Sequence, residues 1–198
     1  MQAKRLLAIL AIAALLGGCA TTSANLSQAP VAAYRDSIEL SGRLFVSYQK
    51  DGQPQNLNGN FDWVQQPGRV EVSLSSQLGT TMARISVTPQ QATLTQAGQQ
   101  PVVAADIDTL TARTLGWTLP VSGLREWMQG YATDAGGKRF AASPANNTVT
   151  TKDGWRLRFV SWQDENAAHP VPKRIDAERS ATPTSDELSI KIIIDQAA

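Results

Sequence analysis

The 198-residue sequence contains one cysteine and one histidine. A single Cys excludes an internal disulfide and any multi-cysteine metal site, and with only His169 beside it most zinc and haem ligand sets are excluded too. Charge of either sign is scarce in excess: 18 Lys and Arg stand against 17 Asp and Glu, and no basic run exceeds two residues. A nucleic-acid binder needs a clear surplus of Lys and Arg, so that class is set aside. Long hydrophobic runs are absent as well. The apolar stretch Leu6 to Leu16 holds about eleven residues, well short of the roughly 20 that span a bilayer as a helix. A phosphate-binding loop is also missing. Gly136-Gly137-Lys138 has the end of one, but Ala132 stands where the first Gly is required and Arg139 where a hydroxyl is required.

What is present begins at the N-terminus. Lys4 and Arg5 precede the apolar stretch, and Leu16-Gly17-Gly18-Cys19 follows it. This is the charged region, short apolar region and small-residue cleavage site of a secretory signal, removed as residues 1–18. The last four residues resemble the lipobox of bacterial lipoproteins, in which the Cys receives a diacylglycerol on sulfur and an acyl chain on its amine. That covalent lipid, and no other cofactor, is implied. Three chains give stable anchoring where a single one binds marginally. Ala20 follows the Cys, in a position where Asp retains lipoproteins in the inner membrane of many Gram-negative bacteria, so delivery to the outer membrane is implied. From Cys19 to Ala33 the residues are Ala, Thr, Ser, Gln, Asn and Pro with almost no large apolar residue and cannot offset their ordering entropy, which predicts a flexible tether over 19–33 and one folded domain over 34–198.

Within that domain Ile38, Leu40, Gly42, Leu44, Val46 and Tyr48 alternate as on a half-buried strand, and Asp51-Gly52 marks a turn. Leu57, Gly59, Phe61 and Trp63 alternate next, closed by Pro67-Gly68. Val70, Val72 and Leu74, then Ala83, Ile85 and Val87, continue an antiparallel meander. Ala92 with Leu94 and Val102 with Ala104 predict further short strands. The period then changes: Asp106 is an N-cap for a helix with Ile107, Leu110, Thr114 and Leu115, and Pro120 opens a second carrying Val121, Leu124, Trp127, Met128 and Tyr131. Strands resume at Thr148, at Trp155–Phe159, near Ile175 and at Leu188–Ile194. The expected fold is mainly β: a curved antiparallel sheet with short helices on its concave face. Gly42 and Gly59, inward on adjacent strands, allow either strong bending or a hollow.

Few residues carry chemistry. His169 lies between Ala168 and Pro170 with no nucleophile elbow nearby, so an envelope hydrolase resting on it competes with a plain solvated loop. Asp106 with Asp108, or Asp164 with Glu165, could pair as acid and base, yet such neighbours are usually a cap or a wet turn. Leu78 is different. It is the lone large apolar residue in the Ser75–Thr81 link, where a hairpin normally carries polar turn residues. It either folds back onto the sheet or protrudes to enter a bilayer or an apolar groove.

The lipobox, Phe61-Asp62-Trp63, the loop Gln77-Leu78-Gly79-Thr80-Thr81, the segment Leu119-Pro120-Val121-Ser122-Gly123-Leu124-Arg125-Glu126-Trp127 and the closing Ile-rich strand together resemble the LolB family of outer-membrane lipoprotein receptors. The resemblance covers nearly the whole mature chain. Gln77 stands where the family often has Pro. It implies an incomplete β-barrel with a helical lid over an acyl-chain cavity. It also implies a monomeric, non-enzymatic receptor in the outer membrane, facing the periplasm, that takes lipoproteins from the carrier LolA and passes them to outer-membrane lipid. Leu78 would be the membrane-insertion residue. The inward set Leu44, Val46, Phe61, Trp63, Val72, Leu74, Ile85 and Val87, roofed by Trp127 and Met128, would line the cavity. A non-catalytic envelope scaffold or small-lipid-binding lipoprotein is the alternative, and a scaffold predicts a filled core.

Overall fold

The structure is a computed structural model that describes residues 26–50, 52–115, 119–182 and 186–195. The signal sequence, Cys19 and Trp117 therefore lie outside the described residues. The strands are β1 (Ile38–Lys50), β2 (Gln53–Gln66), β3 (Arg69–Ser75), β4 (Thr81–Val87), β5 (Ala92–Gln96), β6 (Val102–Ala104), β7 (Tyr131–Thr133), β8 (Arg139–Ala141), β9 (Thr148–Thr150), β10 (Arg156–Trp162), β11 (Pro172–Arg179) and β12 (Leu188–Ile194). Two helices, α1 (Ile107–Leu115) and α2 (Val121–Trp127), interrupt them once.

Ten strands form one antiparallel sheet in the order β6-β5-β4-β3-β2-β1-β12-β11-β10-β9, and β7 with β8 makes a separate hairpin. Pairing of the first strand with the last, Gly42 opposite Ile194 through Tyr48 opposite Leu188, fuses an N-terminal meander to a C-terminal one. The edges β6 and β9 do not pair with each other, so the sheet curls without closing into a barrel. Two-residue turns join β1 to β2 and β2 to β3, each with a glycine at φ +71° (Gly52 and Gly68). Polar Gln53–Asn56 carries no apolar alternation, which is why the sequence pattern begins this strand at Leu57. It is drawn into β2 by pairing with Ser47–Lys50. Gly42 and Gly59 leave no hollow: the missing side chain gives room for a close backbone approach instead. A Cβ on Gly42 would lie 2.1 Å from the Ile193 carbonyl oxygen, and one on Gly59 2.5 Å from that of Ser75.

The helices form as their caps require. The Asp106 carboxylate accepts the Thr109 backbone N–H at 2.7 Å and its hydroxyl at 3.0 Å, an N-cap at the start of α1. The second helix is shorter than the apolar stripe suggests. It ends at Trp127, because Gly130 at φ +81° turns the chain and Tyr131 starts β7. A Cβ on Gly130 would also meet a Val31 methyl at 2.5 Å.

That contact belongs to a strap that composition alone places in the tether. Residues 27–36 lie against the domain: Val31 is buried, its N–H donates to the Ala142 carbonyl at 3.1 Å, and the Tyr131 hydroxyl donates to the Ala32 carbonyl at 2.6 Å. Gln129 holds Arg35 twice, accepting its N–H and donating to its carbonyl. The docked chain thus begins several residues before Tyr34, because Val31 and a few backbone hydrogen bonds offset ordering costs that a count of polar residues assigns to a free segment.

Candidate functional site: an apolar cavity beside an exposed leucine

The concave face of β1–β5 does not pack tightly against the helices. Between them is a partly open cavity of about 460 Å³, within the roughly 300–1,000 Å³ typical of small-ligand sites. Its floor is Leu44 and Val46 of β1, Leu57, Phe61 and Trp63 of β2, Val72 and Leu74 of β3, Ala83 and Ile85 of β4 and Leu94 of β5. Leu110, Leu119, Leu124 and Met128 roof it. Ile192 is the one contribution from the strands β9–β12.

Two of the polar side chains in the lining are turned to the backbone. The Thr111 hydroxyl donates to the Ile107 carbonyl at 2.9 Å and accepts the Leu119 N–H at 3.0 Å, while that of Thr114 donates to the Leu110 carbonyl at 2.8 Å. Both threonines are thereby committed to backbone, and their methyl groups remain for the cavity. Buried Gln65 donates to the Tyr34 hydroxyl at 2.9 Å and accepts the Trp63 indole N–H at 3.4 Å, beyond the hollow. The lining is mostly apolar and can dissolve an apolar chain, with Tyr48, Asn56, Asn58 and Gln96 as its further polar members.

Of the residues singled out in the sequence, Leu44, Val46, Phe61, Trp63, Val72, Leu74, Ile85 and Met128 come together around the cavity. Val87 and Trp127 do not. Val87 sits opposite Val70 and Ala92 at the far end of the strands. Trp127 faces the other half of the sheet, edge-on to Trp155 with ring centroids 5.5 Å apart. Trp127 is the last residue of α2 and Met128 its C-cap, and adjacent positions point in different directions around a helix, so the roll that sends Met128 into the cavity sends Trp127 out of it. Leu57 and Leu94 were legible as inward positions of alternating strands. Leu110, Leu119 and Leu124 needed the placement of the helices.

Leu78 protrudes. Its side chain is 95% exposed, the highest among the described large apolar residues. The loop that carries it is stiffened from within: Ser76 N–H donates to the Thr80 carbonyl at 2.8 Å, Gly79 N–H to the Ser76 carbonyl at 2.9 Å, and Thr80 N–H to the Ser76 hydroxyl at 3.2 Å. Gly79 takes φ +83°, so rigidity here does not depend on a proline at Gln77. The turn cannot fold Leu78 back onto the sheet without breaking these bonds. Met82, 38% exposed, lies between this loop and the cavity it also lines.

The alternative chemistries have other occupations. His169 is exposed, its Nδ1 3.4 Å from the Pro30 carbonyl on the strap. Hydrogen bonds from the Thr109 backbone and hydroxyl hold the Asp106 carboxyl below its ordinary range, as expected of a cap. Desolvation at the helix start, followed by the Asp106 and Asp153 carboxylates, raises that of Asp108. Asp164 accepts the Asn166 N–H within its own turn. Among the described residues no group of three or more His, Cys, Asp and Glu could hold a metal ion.

Comparison with known proteins gives a consistent set of relatives. The family model described as outer membrane lipoprotein LolB matches residues 36–196. A protein named outer-membrane lipoprotein LolB from Cupriavidus taiwanensis is 36% identical over 98% of both chains. Namesakes from Cupriavidus necator (38% identical, over 80% of this chain and 79% of that one) and Chromobacterium violaceum (30%, over 94% of each) are similar as well. A crystal structure of a LolA superfamily protein from Nitrosomonas europaea overlaps with a TM-score of 0.43 at 6% identity, covering 82% of this chain and 86% of that one.

Proposed function

The chain belongs to the LolB family, and from that premise we propose that it is an outer-membrane lipoprotein receptor. It is lipidated at Cys19, accepts lipoproteins from a LolA-type periplasmic carrier, and inserts them into the inner leaflet of the outer membrane without catalysis or an energy source of its own. The observation that carries this reading is the apolar cavity of about 460 Å³ bordered by a rigid loop whose Leu78 is 95% exposed. A container for acyl chains and a wedge for a membrane are thus built into adjoining strand ends.

The energetics of such a transfer are severe. Three acyl chains of about fifteen methylenes each represent on the order of 35 kcal/mol of transfer from water, an upper bound that forbids free diffusion of the cargo. Cargo must move from one apolar site to the next in contact, and direction comes from an affinity gradient, carrier weakest and membrane strongest. The cavity is partly open, and a rise of its roof, α1 and α2, would widen it for cargo. The roof is suited to that. α1 packs on the short edge strands β5 and β6, and α2 on β7, away from the strong pairing at the centre of the sheet.

The test uses the mature chain with Cys19→Ala, mixed with carrier loaded with radiolabelled lipoprotein and then with liposomes, in parallel with Leu78→Glu. Cargo passes to the protein and onward to liposomes, and Leu78→Glu accepts it without releasing it. Failure to take cargo from the carrier, with uptake of free fatty acid retained, would replace the receptor by a small-lipid-binding lipoprotein.

A further inference from the structure

The first hairpin leaves one strand edge open. β1 accompanies β2 along its whole length, from Lys50 opposite Gln53 to Ile38 opposite Gln65, but β3 pairs with β2 only from Asn60 to Gln66. Among the described residues no strand lies on the other side of Gln53–Gly59. Alternation decides which groups this leaves free. In an antiparallel ladder, pairs that exchange both hydrogen bonds alternate with pairs that exchange none, and the residues flanking a two-residue turn are of the first kind. Gln53, Gln55, Leu57 and Gly59 therefore address β1, while Pro54, Asn56 and Asn58 address the open side. Pro54 has no N–H. The edge thus offers the N–H and C=O of Asn56 and Asn58, and the C=O of Pro54.

This edge is also the rim of the cavity. Asn56 and Asn58 border the hollow although their side chains alternate with the inward Leu57, and the Asn56 side chain accepts the Ser47 hydroxyl at 2.7 Å on the convex face. With these side chains alternating away from the inward face, the backbone of β2 is left to form the rim there. Both ends of the strip are stopped, by Pro54 on one side and by the Leu78 loop on the other. In that loop the Ser75 carbonyl crosses Gly59 and Ser76 accepts the Asn60 amide at 3.2 Å. Open edges are usually blunted by charge, proline or a covering element. Gln53–Asn60 contains no charged residue, and its one proline stands at the end.

We infer that this edge binds the polypeptide stem that follows the lipid-bearing cysteine of the cargo, adding it to β2 as a short strand while the acyl chains occupy the cavity. The inference rests on the receptor reading above. The stem is the occupant because it is covalently tied to whatever fills the cavity, so that filling delivers it to the rim at high effective concentration. Pairing through main-chain groups recognises an extended segment of almost any sequence, and an uncharged edge rejects neither acidic nor basic stems. The small, polar residues after Cys19 in this chain show the kind of segment that would fit.

The experiment titrates the Cys19→Ala chain with three triacylated cysteine probes: one with no stem, one with a five-residue serine-rich stem, and one with that stem N-methylated at alternate residues. The plain stem tightens binding about tenfold, as two or three main-chain hydrogen bonds would, and N-methylation removes the gain. Asn58→Pro, which deletes an outward N–H and spares the ladder to β1, abolishes the gain but not binding of the stemless probe. Asn58→Ala keeps both. Hydrogen exchange at Asn56 and Asn58 slows with the stemmed probe alone. Equal affinity for all three probes overturns the inference and leaves the receptor reading standing, as does a gain that survives N-methylation. No binding of any probe sinks both. Should Asn58→Pro fail to fold, the N-methylated probe on the unaltered edge decides.

Discussion

The two halves of the large sheet are built from the same alternating pattern and end in opposite conditions. In β9–β12 the concave face is filled. Leu157, Phe159, Ile175, Ala177 and Ile190 have no exposed surface, Phe159 stacks between Phe140 and Trp162 at 6.3 and 6.2 Å, and Trp127 is lodged against Trp155. In β1–β5 the equivalent positions face a void, and Leu44, Leu57 and Leu74 are only partly buried. The difference lies in what is set opposite. Large rings from α2, β8 and the segment before β10 descend on one half, whereas the other meets leucines, threonine methyls and one flexible Met. One half holds the fold together, so the other is free to stay hollow.

Two pairs of substitutions and two single ones probe that contrast, from the largest expected effect to the smallest. Leu157→Ala removes a fully buried side chain and lowers unfolding free energy by about 3–5 kcal/mol, while Leu74→Ala, already facing the cavity, costs under about 1.5 kcal/mol. Urea titrations of the pair measure this, and equal losses would mean the hollow is not a standing feature. Adding volume reverses the reading. Ala177→Leu overpacks the filled half by about 1–3 kcal/mol, whereas Val72→Phe is tolerated within about 1 kcal/mol and instead weakens binding of a fluorescent fatty acid.

Gly123→Ala tests the plug between the halves. Alanine gains up to about 1 kcal/mol as a helix former, yet a Cβ here would lie 2.5 Å from the buried Trp127 ring. The expected net result is a lower melting temperature, and a higher one would show that Trp127 can shift. Asp106→Ala has the smallest effect, and it depends on pH. The Asp106 carboxyl is held below its ordinary range, so its contribution is complete above that range and fades as pH falls through the lowered value. The stability gap between the two proteins should therefore be present at neutral pH and close in strong acid. A gap that persists there would assign the loss to something other than the carboxylate.

Much of the cavity could be read in advance because strand alternation has a period of two. Once Leu44 is inward, so are Val46 and, across the ladder, Phe61, Val72 and Ile85. Val87 follows the same rule and still misses the cavity, since alternation specifies a face and not a position along the strand. Tyr131 fitted a helical stripe, but a glycine with positive φ intervened, and Gly130 serves equally well inside a pattern or at its end. The strap failed on composition, because one Val31 and a few backbone hydrogen bonds weigh little in a count of polar residues. The open edge at Asn56 and Asn58 left no sequence signal at all.

The amino-acid order by itself determined the strands, the faces they present, the turns between them, the lone cysteine placed just after a short apolar stretch and the conspicuous Leu78, for these depend on neighbours within a few residues. Tertiary structure alone decided which half of the sheet is filled, which way α2 rolls, and that β3 stops short of the first hairpin. Each of those is set by volumes and backbone groups brought together from distant parts of the chain, and no local period encodes the sum.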